Sequence, residues 1–336
     1  MVKMNIQFEM YDPHKTNGEL AAAEVDMFKS ATSGKYIPIA IAGTGGSGNV
    51  FFALPKPTSN PRTTNPNIAN LCTQMITVKV SNERGKRDEL AREIKALTHI
   101  KSRKHGTRAS IHLLHPLDYL SAEEVGANGS VWFSMTAVPG FRMVRLEDVA
   151  ENDGRPLPKP LVAEEYLQLS SAVRFLHSFE VRVTKGEMQS INVMVSTTSV
   201  QSTGFPTFTL IDFGMCKNPA SALECDVEWK HFCTMMHAFA NAGIVTLPAS
   251  LNEHGEDDRD WFVTAMGRCD MIALALGTRT RASLRGRLEG LRGKYRDGIT
   301  RLEREETERV VKNVDLYYGK MSDQTILGTF WRELEE

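Results

Sequence analysis

Two apolar runs separated by glycines set the pattern of the N-terminal third. Residues 37–42 (Ile-Pro-Ile-Ala-Ile-Ala) and 50–54 (Val-Phe-Phe-Ala-Leu) have the length and composition of strands, and Gly43-Thr-Gly45-Gly-Ser-Gly48 between them reads as a turn. Residues 56–70, rich in Pro, Asn and Thr, read as an exposed loop. A β-branched strand follows at 75–80, with Lys79 one place from its end. Over 87–98, Leu90, Ile94 and Leu97 fall on one face, which predicts an amphipathic helix with Glu93 beside that face and Glu89 a turn earlier. Residues 111–119 and 131–138 predict two more strands about a polar turn at 123–129, and Pro139-Gly140 makes a natural linker. A long amphipathic helix is predicted over 161–178, after a Pro-rich loop at 155–160. Short strands are predicted at 193–195 and 207–211, with a polar loop at 196–206 between them. Asp226 opens an apolar helix at 227–240 and would serve as its N-cap. Residues 302–312 alternate charge at helical spacing and predict an exposed helix; 19–29 predict a short one.

Composition narrows the class. At 336 residues the chain is long enough for two domains or two lobes, and 41% apolar with 24% charged residues is ordinary for a soluble globular protein. Forty basic against forty-one acidic residues give a net charge of −1, so no global field draws nucleic acid or anionic membrane. The arginine-rich stretch 280–296 is the local exception, either a solvated helix face or a docking surface for an acidic partner or RNA. Neither uncharged run, 36–55 or 234–252, is a clean span of about twenty apolar residues. The five cysteines are scattered and odd in number, which reads as free thiols in a reducing, intracellular setting, cytoplasmic or nuclear. His231, Cys233 and His237 could be imagined as metal ligands, but their surroundings read as a buried helix.

The candidate chemistry begins with the glycines. The pattern G-x-G-x-x-G-x-V, ending at Val50, lets backbone N–H groups approach phosphates. It also fits the first turn of a dinucleotide-binding fold, which would run into a helix and need an acidic residue about twenty positions on. Here the glycines lead into a strand-like run, and the first acidic residue is Glu83. A plain structural turn is the third account. Downstream, the apolar run Leu210-Ile211 delivers Asp212 into Asp212-Phe213-Gly214. Taken singly, Lys79 is an edge-strand charge, Glu93 a solvated one, and Asn192 and Asp212 are turn residues.

In this order, over about residues 39–240, the chain resembles the protein-kinase superfamily. The resemblance implies an α+β, two-lobed protein-kinase-like fold: an extension (1–35), a small β-rich lobe (36–138) and a larger helical lobe (139–336). It implies ATP and Mg2+ as cofactors. Gly43, Gly45, Gly48 and Val50 would cover the nucleotide. Lys79 would hold phosphates and pair with Glu93, with Glu89 as the fallback. Met135 would lie beside the adenine, whose edge would meet backbone groups of Thr136 and Val138. Asn192 and Asp212 would hold the metal, and Asp226 would brace the loop before Asn192.

That loop departs from the family. Five residues before Asn192, where the catalytic Asp belongs, stands Glu187, preceded by Lys185-Gly186; counting forward from Leu176-His177 puts Lys185 there instead. Only eleven residues separate Gly214 from Asp226, with no Ala-Pro-Glu and no room for a peptide-docking segment. The expected function is an ATP-binding pseudokinase acting as a regulatory module on a protein partner. The alternatives are an active atypical phosphotransferase using Glu187 as base, and a dinucleotide-binding protein.

Overall fold

The computed structural model describes residues 20–57, 67–81, 86–103, 113, 116–120, 130–178, 180, 182–198, 205–243, 301–317 and 321–335. Helix α1 (Ala22–Thr32) ends at Ser33 in the left-handed region and leads into the first sheet. The hairpin of β1 (Tyr36–Gly45) and β2 (Gly48–Pro55) pairs Gly45 with Gly48. A short helix α2 (Ile68–Gln74), capped by the Asn67 side chain, precedes β3 (Ile76–Val80). Helix α3 (Arg87–Ser102), β4 (Pro116–Leu120) and β5 (Trp132–Thr136) follow, and the five strands pair antiparallel in the order β1-β2-β3-β5-β4. The fold is α+β.

Side-chain alternation explains how this sheet is covered on both faces. Phe51, Val78 and Trp132 point to one face, where Phe28 of α1 sits edge-on to Phe51 at a centroid separation of 5.0 Å. Thr77 and Lys79 point to the other. Each fully buried aromatic or aliphatic side chain of this kind contributes about 1.5–3 kcal/mol. Lys79 is therefore not an edge-strand charge: β3 is the middle strand, and Lys79 is buried. The glycines form the turn of an antiparallel hairpin, so the helix that a dinucleotide-binding turn requires after Gly48 is a strand instead.

A second group of elements continues from Gly140. A three-stranded antiparallel sheet of β6 (Phe141–Arg142), β7 (Val193–Ser196) and β8 (Thr207–Leu210) lies with helices α4 (Val144–Asp153), α5 (Lys159–His177), α6 (Ala222–Asn241) and α7 (Arg301–Tyr317). Gly140 has φ +133°, and a Cβ there would stand 1.9 Å from the Val195 carbonyl oxygen, so only glycine lets the chain cross β7 this closely. Helix α8 (Asp323–Glu335) returns to the first sheet, seating Ile326 and Phe330 among Ile39, Leu54 and Met75.

Several expectations need correction. The loop expected over 56–70 ends sooner, because α2 begins at Ile68. Helix α4 had no counterpart in the sequence reading. The helix expected to be exposed at 302–312 is α7, and it buries Thr307, Val310 and Val314, the two valines within the main core. Helix α6 begins at Ala222, capped by Ser221 and Glu224 in a reciprocal capping box, so Asp226 lies inside the helix and is not its N-cap. Cys72, Cys216, Cys225 and Cys233 are buried free thiols. Among the described residues no helix is long and apolar enough to cross a membrane. The arginine-rich stretch 280–296, Cys269 and the polar turn at 123–129 lie outside the described residues.

Helix α5 carries one unusual group. Glu165 is fully buried, and among the described residues neither carboxylate oxygen has a hydrogen-bond partner. Burial pushes its carboxyl well above the ordinary value, and the neighbouring Glu147 of α4 adds to the rise. Burial also pushes Glu147 up to about 7, although Ser190 donates a hydrogen bond to it. Both groups bind a proton more tightly folded than unfolded, so stability falls as pH rises above the unfolded value of 4.5. Glu165→Gln is expected to flatten the decline in melting temperature between about pH 5 and pH 8. Glu165→Leu is expected to stabilise by about 1–3 kcal/mol in urea denaturation. A wild-type profile that rises over this range would refute the assignment.

Candidate functional site

Three elements meet at Lys79. The ammonium donates to Glu93 Oε2 of α3 at 2.7 Å and to Asp212 Oδ1 at 2.8 Å. Glu93 is 1% exposed, and its Oε1 accepts the Phe213 N–H at 2.8 Å, so one carboxylate ties α3 to β3 and to the Asp212-Phe213-Gly214 turn. Burial alone would lower the Lys79 pKa; Glu93 and Asp212 more than offset it and hold the ammonium above the ordinary lysine value. Burial pushes Asp212 upward, but Lys79, Lys185 and the Gly214 N–H leave it below the usual aspartate value. Glu93 rather than Glu89 is the partner; Glu89 lies nearer the surface, 3.9 Å from Lys86.

Asp212 has φ +57°, a strained conformation for a residue with a side chain. Its bond to Lys79 and a 3.2 Å bond from the Gly214 N–H to the same Oδ1 hold it there. Asn192 ends a 3-10 turn (Ser190–Asn192), and its carbonyl accepts the Ile211 N–H at 3.0 Å, which fixes it beside Asp212.

These residues open onto one cavity of about 290 Å³ between the two sheets. Gly43, Gly45, Gly48 and Val50 of the hairpin line it, as do Lys79 and Glu93. Met135, Thr136 and Val138 line it where β5 runs toward Gly140, and Asn192 and Asp212 close its far side. Phe52, Met194 and Ile211 make its middle apolar. Arg142, which sequence reasoning did not single out, also lines it.

Glu187 stands apart. It is exposed and is not among the residues lining the cavity. Lys185, 1% exposed, points inward, and its ammonium donates to the Glu187 carbonyl at 2.5 Å. Burial lowers its pKa to about 8 against the pull of Asp212, Glu228, Glu93 and Glu187. Gly186 has φ +96°, and a Cβ there would lie 2.3 Å from the Met215 carbonyl oxygen. Its N–H donates to Glu228 Oε1 at 2.9 Å, while Glu228 Oε2 lies 2.7 Å from His177 Nε2. Glu228 therefore braces this loop. The signal was in the spacing: Cys225, Glu228, Trp229 and Phe232 share the buried face of α6, and Asp226 does not.

The arrangement offers a polar end, an apolar middle and exposed backbone groups at Thr136–Val138, the layout of a small-molecule pocket. A hard divalent cation fits the polar end. The Asn192 side chain and Asp212 Oδ2 have no hydrogen-bond partner among the described residues, and two oxygen donors suffice for Mg2+, which keeps several waters or phosphate oxygens. Among the described residues no three His, Cys, Asp or Glu side chains gather as a metal cluster, and His231 and Cys233 lie on opposite faces of α6, exposed and buried. No protein-family model matches the chain, and no curated protein matches it.

Proposed function

We propose that the chain is a divergent protein-kinase-like protein that binds ATP with Mg2+ and acts on a protein partner as a non-catalytic regulatory module. One observation carries the reading: a lysine on the middle strand, a glutamate on the following helix and the aspartate of a distant Asp-Phe-Gly turn converge in one cavity under a glycine hairpin. On this reading the base lies in the apolar middle against the backbone of Thr136 and Val138, with Met135 beside it. Backbone N–H groups of the hairpin face the phosphates. Lys79, held by Glu93, supplies their positive partner, and Asn192 and Asp212 hold the metal, which neutralises phosphate charge.

The non-catalytic side of the proposal rests on Glu187. A general base must reach the proton it removes. Glu187 is exposed off the cavity, and the buried Lys185 holds its carbonyl rather than its carboxylate. A misplacement of about 1 Å can cost roughly 10²-fold in rate.

Thermal-shift titration tests the binding. MgATP at millimolar concentration is expected to raise the melting temperature of the wild type, and Asp212→Ala to remove most of that rise. No shift in the wild type would overturn the nucleotide reading. Single-turnover assays with labelled ATP test the chemistry: wild type and Glu187→Gln are expected to be equally inactive. Transfer that disappears in Glu187→Gln would replace the module by an atypical phosphotransferase.

A further inference from the structure

The face of the first sheet that carries Lys79 has two coverings. Near the glycine hairpin, Val50, Phe52, Thr77 and Lys79 turn toward the cavity. Two residues past Phe52, Leu54 turns the same way, and there α8 covers the sheet, packing on β1 and α2. Phe52 stands at the border: it lines the cavity, and it belongs to the same buried cluster as Ile326 and Phe330 of α8. Ala42 of β1 also lines the cavity and packs against that cluster. Ala137 is a third shared position, buried in the cluster between Thr136 and Val138 of the cavity wall. The helix before α8 is anchored elsewhere, in the helical group. Asp153 of α4 accepts bonds from Arg309 and Asn313 of α7, and Val310 and Val314 enter the main core. Three residues separate Tyr317 of α7 from Met321, which already belongs to the α8 cluster, so the link spans about 14 Å at most. The chain therefore crosses between the first sheet and the helical group twice, at 137–140 and again between α7 and α8.

We infer that α8 is a strap whose seating on the first sheet sets nucleotide affinity, so that nucleotide and α8 each hold the other in place; this rests on the nucleotide reading above. On that reading the base packs in the apolar middle of the cavity, with Phe52 as one wall and the chain at 136–138 along its edge. With α8 seated, that wall is fixed before the base arrives, and binding need not immobilise it. With α8 lifted, Ile39, Leu54 and Met75 meet water, and Phe52 and Ala137 lose part of the packing that fixes them. The base then meets a wall that it must first order. Linkage makes the effect mutual: whatever factor α8 adds to nucleotide affinity, nucleotide adds to the seating of α8.

The experiment follows hydrogen exchange of the α8 amides in the full chain by mass spectrometry, with and without saturating MgATP, beside MgATP dissociation constants of variants. MgATP is expected to slow α8 exchange at least about fivefold. Phe330→Ala removes the larger of the buried pair Ile326 and Phe330, and it is expected to weaken MgATP binding by a similar factor. Phe330→Leu keeps most of the apolar volume and is expected to weaken binding less; it takes the place of Phe330→Ala if that protein does not fold. Phe239→Leu, a core change in α6 outside the cavity lining, is expected to bind as the wild type does. Exchange in α8 unchanged by MgATP, wild-type affinity in the Phe330 variants, or an equal loss in Phe239→Leu each overturns the inference. The melting shift separates the two failures. MgATP that raises the melting temperature but leaves α8 exchange unchanged removes the strap alone, whereas MgATP that does not bind removes the nucleotide reading with it.

Discussion

Glu228→Ala is expected to lower stability by about 3–5 kcal/mol, among the largest single-residue effects in the chain. Glu228 is 2% exposed and spans two elements, holding the Gly186 N–H with one oxygen and His177 with the other. Its removal leaves a half-buried donor unmet at Gly186 and takes away an acid whose charge helps keep the buried Lys185 protonated. Gly186 has φ +96° and lies where a Cβ would meet the Met215 carbonyl oxygen at 2.3 Å, so the loop depends on glycine there. Glu228→Gln keeps one acceptor oxygen, and we expect it to cost less, about 1–2 kcal/mol. Urea denaturation of both variants measures this. A Glu228→Ala protein within about 0.5 kcal/mol of wild type would mean that the loop is held by something else.

The contrast between Glu228 and Asp226 shows what the sequence carried and what was overlooked. Helix α6 is legible as an apolar run, but the acidic residue nearest the run, Asp226, points to too late a start. The stronger signature stands earlier: Ser221 followed three places on by Glu224, a reciprocal cap, which moves the helix start and the buried face with it. Once the start is right, Glu228 falls among Cys225, Trp229 and Phe232. Helix α7 was misjudged for a related reason. Its charges dominate the average, while the stripe Thr307, Val310, Val314 that buries it is only three residues wide. Helix α2 gave almost no signal, because seven residues beside a Pro- and Asn-rich stretch offer less than two turns of pattern.

The cavity was legible in a different way. No local rule joins Lys79 to Asp212, which lies 133 residues further along the chain. Their meeting was expected only because the glycine turn, the lysine strand, the glutamate helix and the Asp-Phe-Gly turn come in a familiar order. Arg142 shows the limit of that route. Its position two residues beyond a Pro-Gly linker carries no pattern, so its place on the cavity wall is visible only in the structure.

Lys79→Met is expected to reduce MgATP affinity by at least about a hundredfold and to lower stability by about 3–5 kcal/mol. Methionine keeps most of the length and apolar bulk of lysine, so packing against Val50 on the neighbouring strand survives while the charge is lost. Glu93 then lies 1% exposed without its cation, and Asp212 loses the bond that stabilises its left-handed backbone. The pH dependence separates this from a simple packing defect. In the wild type the Lys79 pKa is raised above 10.5, so its contribution is complete below that value and is lost only as pH climbs through the higher folded value. The Asp212 pKa is depressed below 3.8, so its contribution is present above that value and is lost as pH falls through the lower folded value. Lys79 and Asp212 therefore contribute evenly across the neutral range, whereas Glu93, whose carboxyl burial holds above 4.5 despite Lys79, contributes less as pH rises from that value. In Lys79→Met the uncompensated Glu93 carboxyl takes up a proton more readily, because burial is no longer opposed by the ammonium, and stability is expected to improve toward acid pH. Adding Glu93→Gln to Lys79→Met should recover part of the lost stability and none of the lost nucleotide affinity, since the first comes from a stranded charge and the second from the missing cation. Equal losses in the single and double variants, or a wild-type-like melting shift with MgATP in Lys79→Met, would show that Lys79 is a structural residue and that the phosphates, if bound at all, lie elsewhere.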